Sequence, residues 1–271
     1  MLKRILKRHP IEIILCVLLV LTLVLAIVIR SKTSHQKMAG EDNVSDKIDY
    51  TAIQKIDDRY YYEDRNYRSS FGIDISEFQE NIDWQKVKDA GVEFVFLRIG
   101  RRGATTGLLY DDTEFETHYE GARKAGLKIG VYFFSQACSI KEAQEEADFV
   151  ISRLKGKKID FPVAYDLEEV YLTDETPRIS ELTREEHTAN ALAFCRRLNK
   201  KHYDAMIYTY QYWAETYYDM EQISAYPIWY AVYDTDEPKL EYPISIWQYS
   251  KTGMIDGISV PIDLNIMFIR K

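Results

Sequence analysis

Cysteine is scarce in this chain, at three among 271 residues, and Cys16 falls within an apolar run near the front. Nothing in the spacing of the other two, Cys138 and Cys195, argues for a disulfide, so they read as separate small buried side chains. Histidine is almost as rare. The five present (His9, His35, His118, His187 and His202) show no metal-ligand spacing, so no metal is expected, and His187 and His202 are expected on solvated helix faces. The glycine-bearing stretch GRRGATTG (100–107) lacks both the dinucleotide fingerprint and the Lys-Ser/Thr ending of a phosphate loop. It reads as a mobile loop at a cleft rim, and no cofactor is expected. There is no repeat of 20 to 50 residues, which excludes a repeat-built binding module. Positive charge is also short: beyond residue 40 the acids outnumber Lys and Arg by 14. A surface that acidic is a poor match for nucleic acid.

What the chain does have is one long hydrophobic run, residues 11–29, IEIILCVLLVLTLVLAIVI, with Glu12 at its edge. Such a run spans about 30 Å of hydrocarbon as a helix. Lys3, Arg4, Lys7 and Arg8 precede it, and Arg30, Lys32 and Lys37 follow. The excess of positive charge and the short leader favour a cytoplasmic N-terminus (residues 1–10). A cleaved signal peptide is the alternative, but the only small-residue site, Val24-Leu25-Ala26, lies inside the run. Either way the rest of the chain is expected outside the cytoplasm, held at the lipid bilayer by residues 11–29 or secreted. Residues 30–70 are polar and tyrosine-rich and read as a stalk, packed onto the following domain near Tyr60 to Tyr62.

From residue 71 onward strand-like and helix-like stretches alternate. Strands are predicted at 71–75, 92–100, 127–135, 161–168 and 205–210, and helices at 83–91, 113–125, 140–156 and 182–201, with a helical segment up to about residue 223. Thr183 and Glu186 open the longest helix with a capping-box pattern. Three further strands, 227–233, 243–250 and 261–268, follow with only short links. Apolar strands alternating with helices imply a parallel sheet buried on both faces. Eight strands in about 200 residues imply an α/β protein with a modified TIM-type barrel, (β/α)5(β)3, over residues 71–271.

In such a barrel the C-terminal ends of the strands face the reaction cleft. Asp74 ends the first strand, Asp166 and Glu168 end the fourth on one face, and Asp263 lies in the last. Carboxylates gathered at one rim cannot all ionise cheaply, so at least one proton is held toward neutral pH. A carboxylic acid of that kind can protonate a glycosidic oxygen while a neighbour stabilises positive charge or acts as nucleophile. Asp83 and Asp89 read instead as helix-end or surface acids.

GIDIS (72–76), GVYFF (130–134), YDLEE (165–169), IYTY (207–210), IWYAVY (228–233), WQYS (247–250) and PIDLN (261–265) together resemble, in order, the landmarks of glycoside hydrolase family 25, the lysozyme-like muramidases. The resemblance implies a barrel that cleaves the β-1,4 bond between N-acetylmuramic acid and N-acetylglucosamine in peptidoglycan. It implies Glu168 as the catalytic acid, Asp166 beside it, Asp74 and Asp263 as the outer acids, and Tyr132, Tyr208, Trp229 and Gln248 as cleft lining. The third-strand motif commonly reads Tyr-His-Phe in that family. Here it reads Tyr132-Phe133-Phe134, with the odd residue at outward parity. The wall-binding repeats of many relatives are not seen, and a membrane anchor could localise the domain instead. A barrel that binds wall glycan without cutting it, in adhesion or assembly, is the alternative. The resemblance also leaves the choice between a protein nucleophile and the substrate's own acetamido group open.

Overall fold

The computed structural model describes residues 47–271, which form one compact unit. The leader 1–10 and the apolar run 11–29 lie outside the described residues. Among the described residues no helix is long and apolar enough to cross a membrane. In chain order the elements are β1 (Gln54–Ile56), β2 (Arg59–Tyr61), β3 (Tyr67–Ile75), α1 (Trp84–Asp89), β4 (Phe94–Arg102) and β5 (Leu109–Asp111). There follow α2 (Phe115–Lys124), β6 (Lys128–Ser135), α3 (Ile140–Leu154), β7 (Val163–Leu167), α4 (Arg184–Asn199) and β8 (Ala205–Tyr210). The chain finishes with α5 (Gln211–Thr216), α6 (Met220–Ile223), β9 (Ile228–Ala231), β10 (Ile246–Gly253) and β11 (Ile262–Arg270).

Strands β3, β4, β6, β7, β8, β9, β10 and β11 close into a ring, because β3 pairs with both β4 and β11. All neighbours run parallel except β11, which is antiparallel to β10 and β3. An all-parallel ring is what the alternation of strands and helices predicts, and the last strand departs from it for a physical reason. A parallel return needs a crossover of about a dozen residues or more. Residues 232–245 suffice for the β9–β10 link, and residues 254–261 are too few for β10–β11.

Local chemistry sets the helix ends. Asp83 accepts a hydrogen bond from the Lys86 amide to start α1, and Thr183 and Glu186 cap α4 reciprocally. Apolar residues fill both faces of the ring. Inside, Phe94, Phe96, Ala164, Met206, Trp229, Ile246 and Met267 pack together. Room for the two phenylalanines comes from glycines, since a Cβ at Gly72 would lie 2.3 Å from the Phe94 ring and one at Gly130 2.5 Å from Phe96. Outside, Phe133 sits against Phe149 and Phe194 under the helices, with ring centroids 5.6 and 6.4 Å away. The substitution in the third-strand motif is therefore on the far side of the sheet from the cleft.

Among the described residues the last strands have no helices on their outer face, yet a sheet of this kind must be covered. Residues 47–62 do it. Tyr60 stacks on Trp247 and Tyr249 with centroids 4.6 and 4.9 Å apart, and Tyr50 and Tyr62 meet Phe268 edge-on. The first barrel strand begins at Tyr67, ahead of the predicted residue 71, because β3 continues along β11 to the Arg270–Tyr67 pair.

Two local expectations change. His187 is 1% exposed, not on a solvated face, because Trp213 and Tyr217 close over it at 5.3 Å. That burial lowers its pKa to about 4. Residues 100–107 are the end of β4 and the turn of the β4–β5 hairpin rather than a free loop, anchored by buried Arg102, whose Nε donates to Glu146 at 2.8 Å. Cys138 and Cys195 are free thiols, the first half-buried and the second buried.

Candidate active site

Alternation along each strand decides which side chains enter the ring, and strand direction decides at which end. Asp74, Arg98, Tyr132, Asp166, Tyr208, Trp229 and Gln248 occupy inward positions on seven parallel strands. Arg98 pairs in register with Tyr132, Asp166 with Tyr208, and Tyr208 with Trp229. Glu168 follows one residue beyond β7 at the same parity as Asp166. Asp263 is the second residue of β11, and it reaches this rim only because β11 runs backwards, directly opposite Asp74. All eight residues singled out from the sequence line one cavity of about 300 Å³.

The cavity continues past Glu168 into a second hollow of about 630 Å³, bounded by Tyr208, Tyr210, Tyr212, Tyr233 and Lys251. Glu168 thus stands at the junction of a longer groove, a position suited to cutting a polymer internally. Larger hollows exist, including one of about 710 Å³ lined by residues of α3, α4 and α6, but it contains none of the clustered acids.

Hydrogen bonds fix the cavity floor. Trp229 Nε1 donates to Asn265 Oδ1 at 2.8 Å, and Asn265 Nδ2 donates to Asp74 Oδ2 at 2.8 Å. Gln248 Nε2 donates to the same Asp74 oxygen at 2.9 Å. Gln248 Oε1 accepts from the Tyr208 hydroxyl at 3.1 Å and the Tyr233 hydroxyl at 2.6 Å. Each polar group is oriented by the next, which holds Asp74 in one rotamer.

The acids shift together. Burial, followed by repulsion from Asp74, raises the Glu168 pKa to about 7. The same two causes push Asp263 up to about 8, with Lys251 opposing. Asp166 rises through burial, then through the charges of Glu168 and Asp74. Asp74 also rises by burial, held back by its Asn265 and Gln248 donors. Asp166 Oδ1 is buried and has no partner among the described residues. The arrangement presents a proton-donating carboxyl near pH 7 beside an open acceptor, the equipment of general acid catalysis. Among the described residues no group of His, Cys, Asp and Glu is placed to hold a metal ion.

Sequence reasoning missed several participants. Asn265 lies two residues after Asp263 and shares its parity, so it was within reach of the same argument. Tyr233 falls beyond the end of β9. Gln136, fully buried, donates from Nε2 to the Glu168 carbonyl at 2.9 Å and anchors the backbone that carries the acid. No periodicity marks that role.

The sequence profile of glycosyl hydrolases family 25 matches residues 73–258. An autolytic lysozyme of Clostridium acetobutylicum is 32% identical over 194 residues, which is 72% of this chain and 54% of that protein. This chain therefore spans little more than half the length of that relative. The spore cortex lytic enzyme SleM of Clostridium perfringens is similar in structure at a TM-score of 0.63 and 25% identity, over 73% of this chain and 67% of SleM. The bacterial lysozyme from Streptomyces coelicolor gives 0.58 and 26%, over 72% of this chain and 90% of its own.

Proposed function

Because the chain belongs to glycosyl hydrolase family 25, we propose that its barrel is an N-acetylmuramidase, hydrolysing the β-1,4 bond between N-acetylmuramic acid and N-acetylglucosamine in bacterial peptidoglycan. One observation carries the reading: Glu168, its pKa raised to about 7, stands mid-groove among three other carboxyls. A module that merely held glycan would gain nothing from that repulsion.

In this reading Glu168 gives its proton to the leaving glycosidic oxygen as the C1–O bond breaks. The unpartnered Oδ1 of Asp166 accepts the N–H of the 2-acetamido group, turning the acetamido oxygen toward C1 so that it displaces the leaving sugar. Water, activated by the now ionised Glu168, then opens that intermediate with overall retention. Asp74 supplies negative potential beneath the developing oxocarbenium charge, and Asp263, its pKa pushed up to about 8, stays protonated near pH 7 and hydrogen-bonds to Asp74. Tyr132, Tyr208 and Trp229 provide apolar faces for the sugar rings, and Gln248 fixes Asp74.

The proposal extends to location. Residues 11–29 anchor the chain in the cell membrane as a single pass with the N-terminus cytoplasmic, which puts the barrel on the wall side. The apolar length and the flanking charges support this. Protease added to intact cells should then remove the barrel and spare the leader.

Incubating the full chain with purified cell walls tests the activity. New reducing ends on N-acetylmuramic acid, read by mass spectrometry of the released muropeptides, are the expected result. Walls that pellet the protein yet yield no new ends refute hydrolysis and leave binding alone.

A further inference from the structure

The groove is acidic except for two cations, Arg98 and Lys251. Arg98 is already engaged: its Nε donates to Asp112 and its Nη2 to Glu77, both at 2.8 Å, and it is 7% exposed. Lys251 is exposed, and no carboxylate among the described residues lies within ion-pair distance of its ammonium, which stands 5.4 Å above the Tyr233 ring. It borders both hollows, as do Glu168, Tyr208 and Tyr233.

Its place there is built, because simple alternation from inward Gln248 would turn Lys251 outward. The β10–β11 ladder slips instead. Gln248 pairs with Asn265, but Ser250 pairs with Leu264, so two residues of β10 face one of β11. A bulge of this kind reverses parity and re-aims the following side chain. Ser250 takes the outward face with Leu264, and Lys251 takes the inward face beside Asp263, whose raised pKa it opposes. A lysine needed only for solubility has no use for the irregularity.

We propose that Lys251 binds a carboxylate carried by the substrate, next to the bond that Glu168 protonates. The inference rests on the muramidase reading. Of the two sugars in that polymer only N-acetylmuramic acid bears an acid, on the lactyl ether at its O3; where a peptide stem is attached, it converts that acid to an amide and brings carboxylates of its own. The shared chemistry is an anionic substituent at the groove rim. An unpaired ammonium at the rim of a groove lined by four carboxyls gives that substituent a positive partner, which the acids cannot offer.

The test compares the full chain with Lys251→Gln and Lys251→Arg on three glycans: stem-free strands with free lactyl carboxylates, the same strands with those carboxyls methyl-amidated, and strands retaining peptide stems. Wild type is expected to cleave free-carboxylate strands with a kcat/KM about fivefold above the amidated ones, the worth of a partly solvated ion pair. That preference should shrink with added salt, vanish in Lys251→Gln and return in Lys251→Arg. A Lys251-dependent preference seen only with stem-bearing strands assigns the carboxylate to the peptide and still supports the contact. Wild type showing no preference, or Lys251→Gln keeping it in full, overturns the inference while leaving the muramidase reading intact. Failure of wild type to cleave any strand overturns both.

Discussion

Replacing Glu168 by glutamine keeps the side chain's shape and removes its ionisation, so it isolates what the raised pKa does. Burial and the Asp74 charge hold the Glu168 proton until about pH 7, against 4.5 for an ordinary glutamate. Between those values the folded protein keeps a proton that the unfolded chain has released. The stability this carboxyl contributes is therefore full below about pH 4.5 and is lost as pH rises through 7. The gap from 4.5 to about 7 corresponds to roughly 3 kcal/mol of penalty once the group is ionised in the fold. Solvent at the groove rim reduces that to roughly 2–3 kcal/mol. Glutamine mimics the protonated form and escapes the penalty. Glu168→Gln should match wild type in thermal unfolding at pH 4 and melt roughly 5–10 °C higher at pH 8.

Activity should move the other way. General acids contribute about 100- to 10,000-fold, so kcat on cell walls should fall at least about 100-fold. The wild-type kcat/KM should also decline above about pH 7, where the acid of the free enzyme ionises. Unfolding curves that coincide at pH 8 would refute the electrostatic reasoning. Turnover within a few-fold of wild type would remove Glu168 from the chemistry altogether.

Asn265→Leu takes a donor from Asp74 and strands the buried Trp229 N–H, so it should lower the urea-unfolding free energy by about 1–3 kcal/mol. Gly72→Ala drives a methyl to 2.3 Å from the Phe94 ring inside the barrel and should cost about 1–3 kcal/mol or more in the same assay. Tyr60→Ala should cost about 3 kcal/mol through lost packing on Trp247 and the lost hydroxyl bond to Thr235. A neutral result there would mean that residues 47–62 do not cover the barrel.

Much of this was legible because two rules act locally. Alternation along FGIDI, FPVAYDLE and PIDLN sorts inward from outward residues without any knowledge of partners. Closure of eight strands then brings Asp74, Asp166 and Glu168 to one rim, and the reversal of β11 adds Asp263. The capping pair at Thr183 and Glu186 was equally plain, because both hydrogen bonds span three residues. Gln136, which meets the Glu168 backbone 32 residues on, depends on tertiary placement that no window of sequence encodes. His187 is a similar case. Its helix is polar overall, and only the return of Trp213 and Tyr217 decides that it is buried.

The direction of the last strand shows how one such decision propagates. With β11 parallel to its neighbours, Asp263 at its second position would lie at the barrel's closed end, far from Asp74. The short link 254–261 forbids that crossover and turns the strand around. The reversal places Asp263 opposite Asp74. It also lets β10 and β11 form an antiparallel ladder, the setting in which bulges arise. The bulge after Gln248 then carries Lys251 inward. A link too short for a crossover thus supplies both the fourth acid and the one unpaired cation of the groove among the described residues.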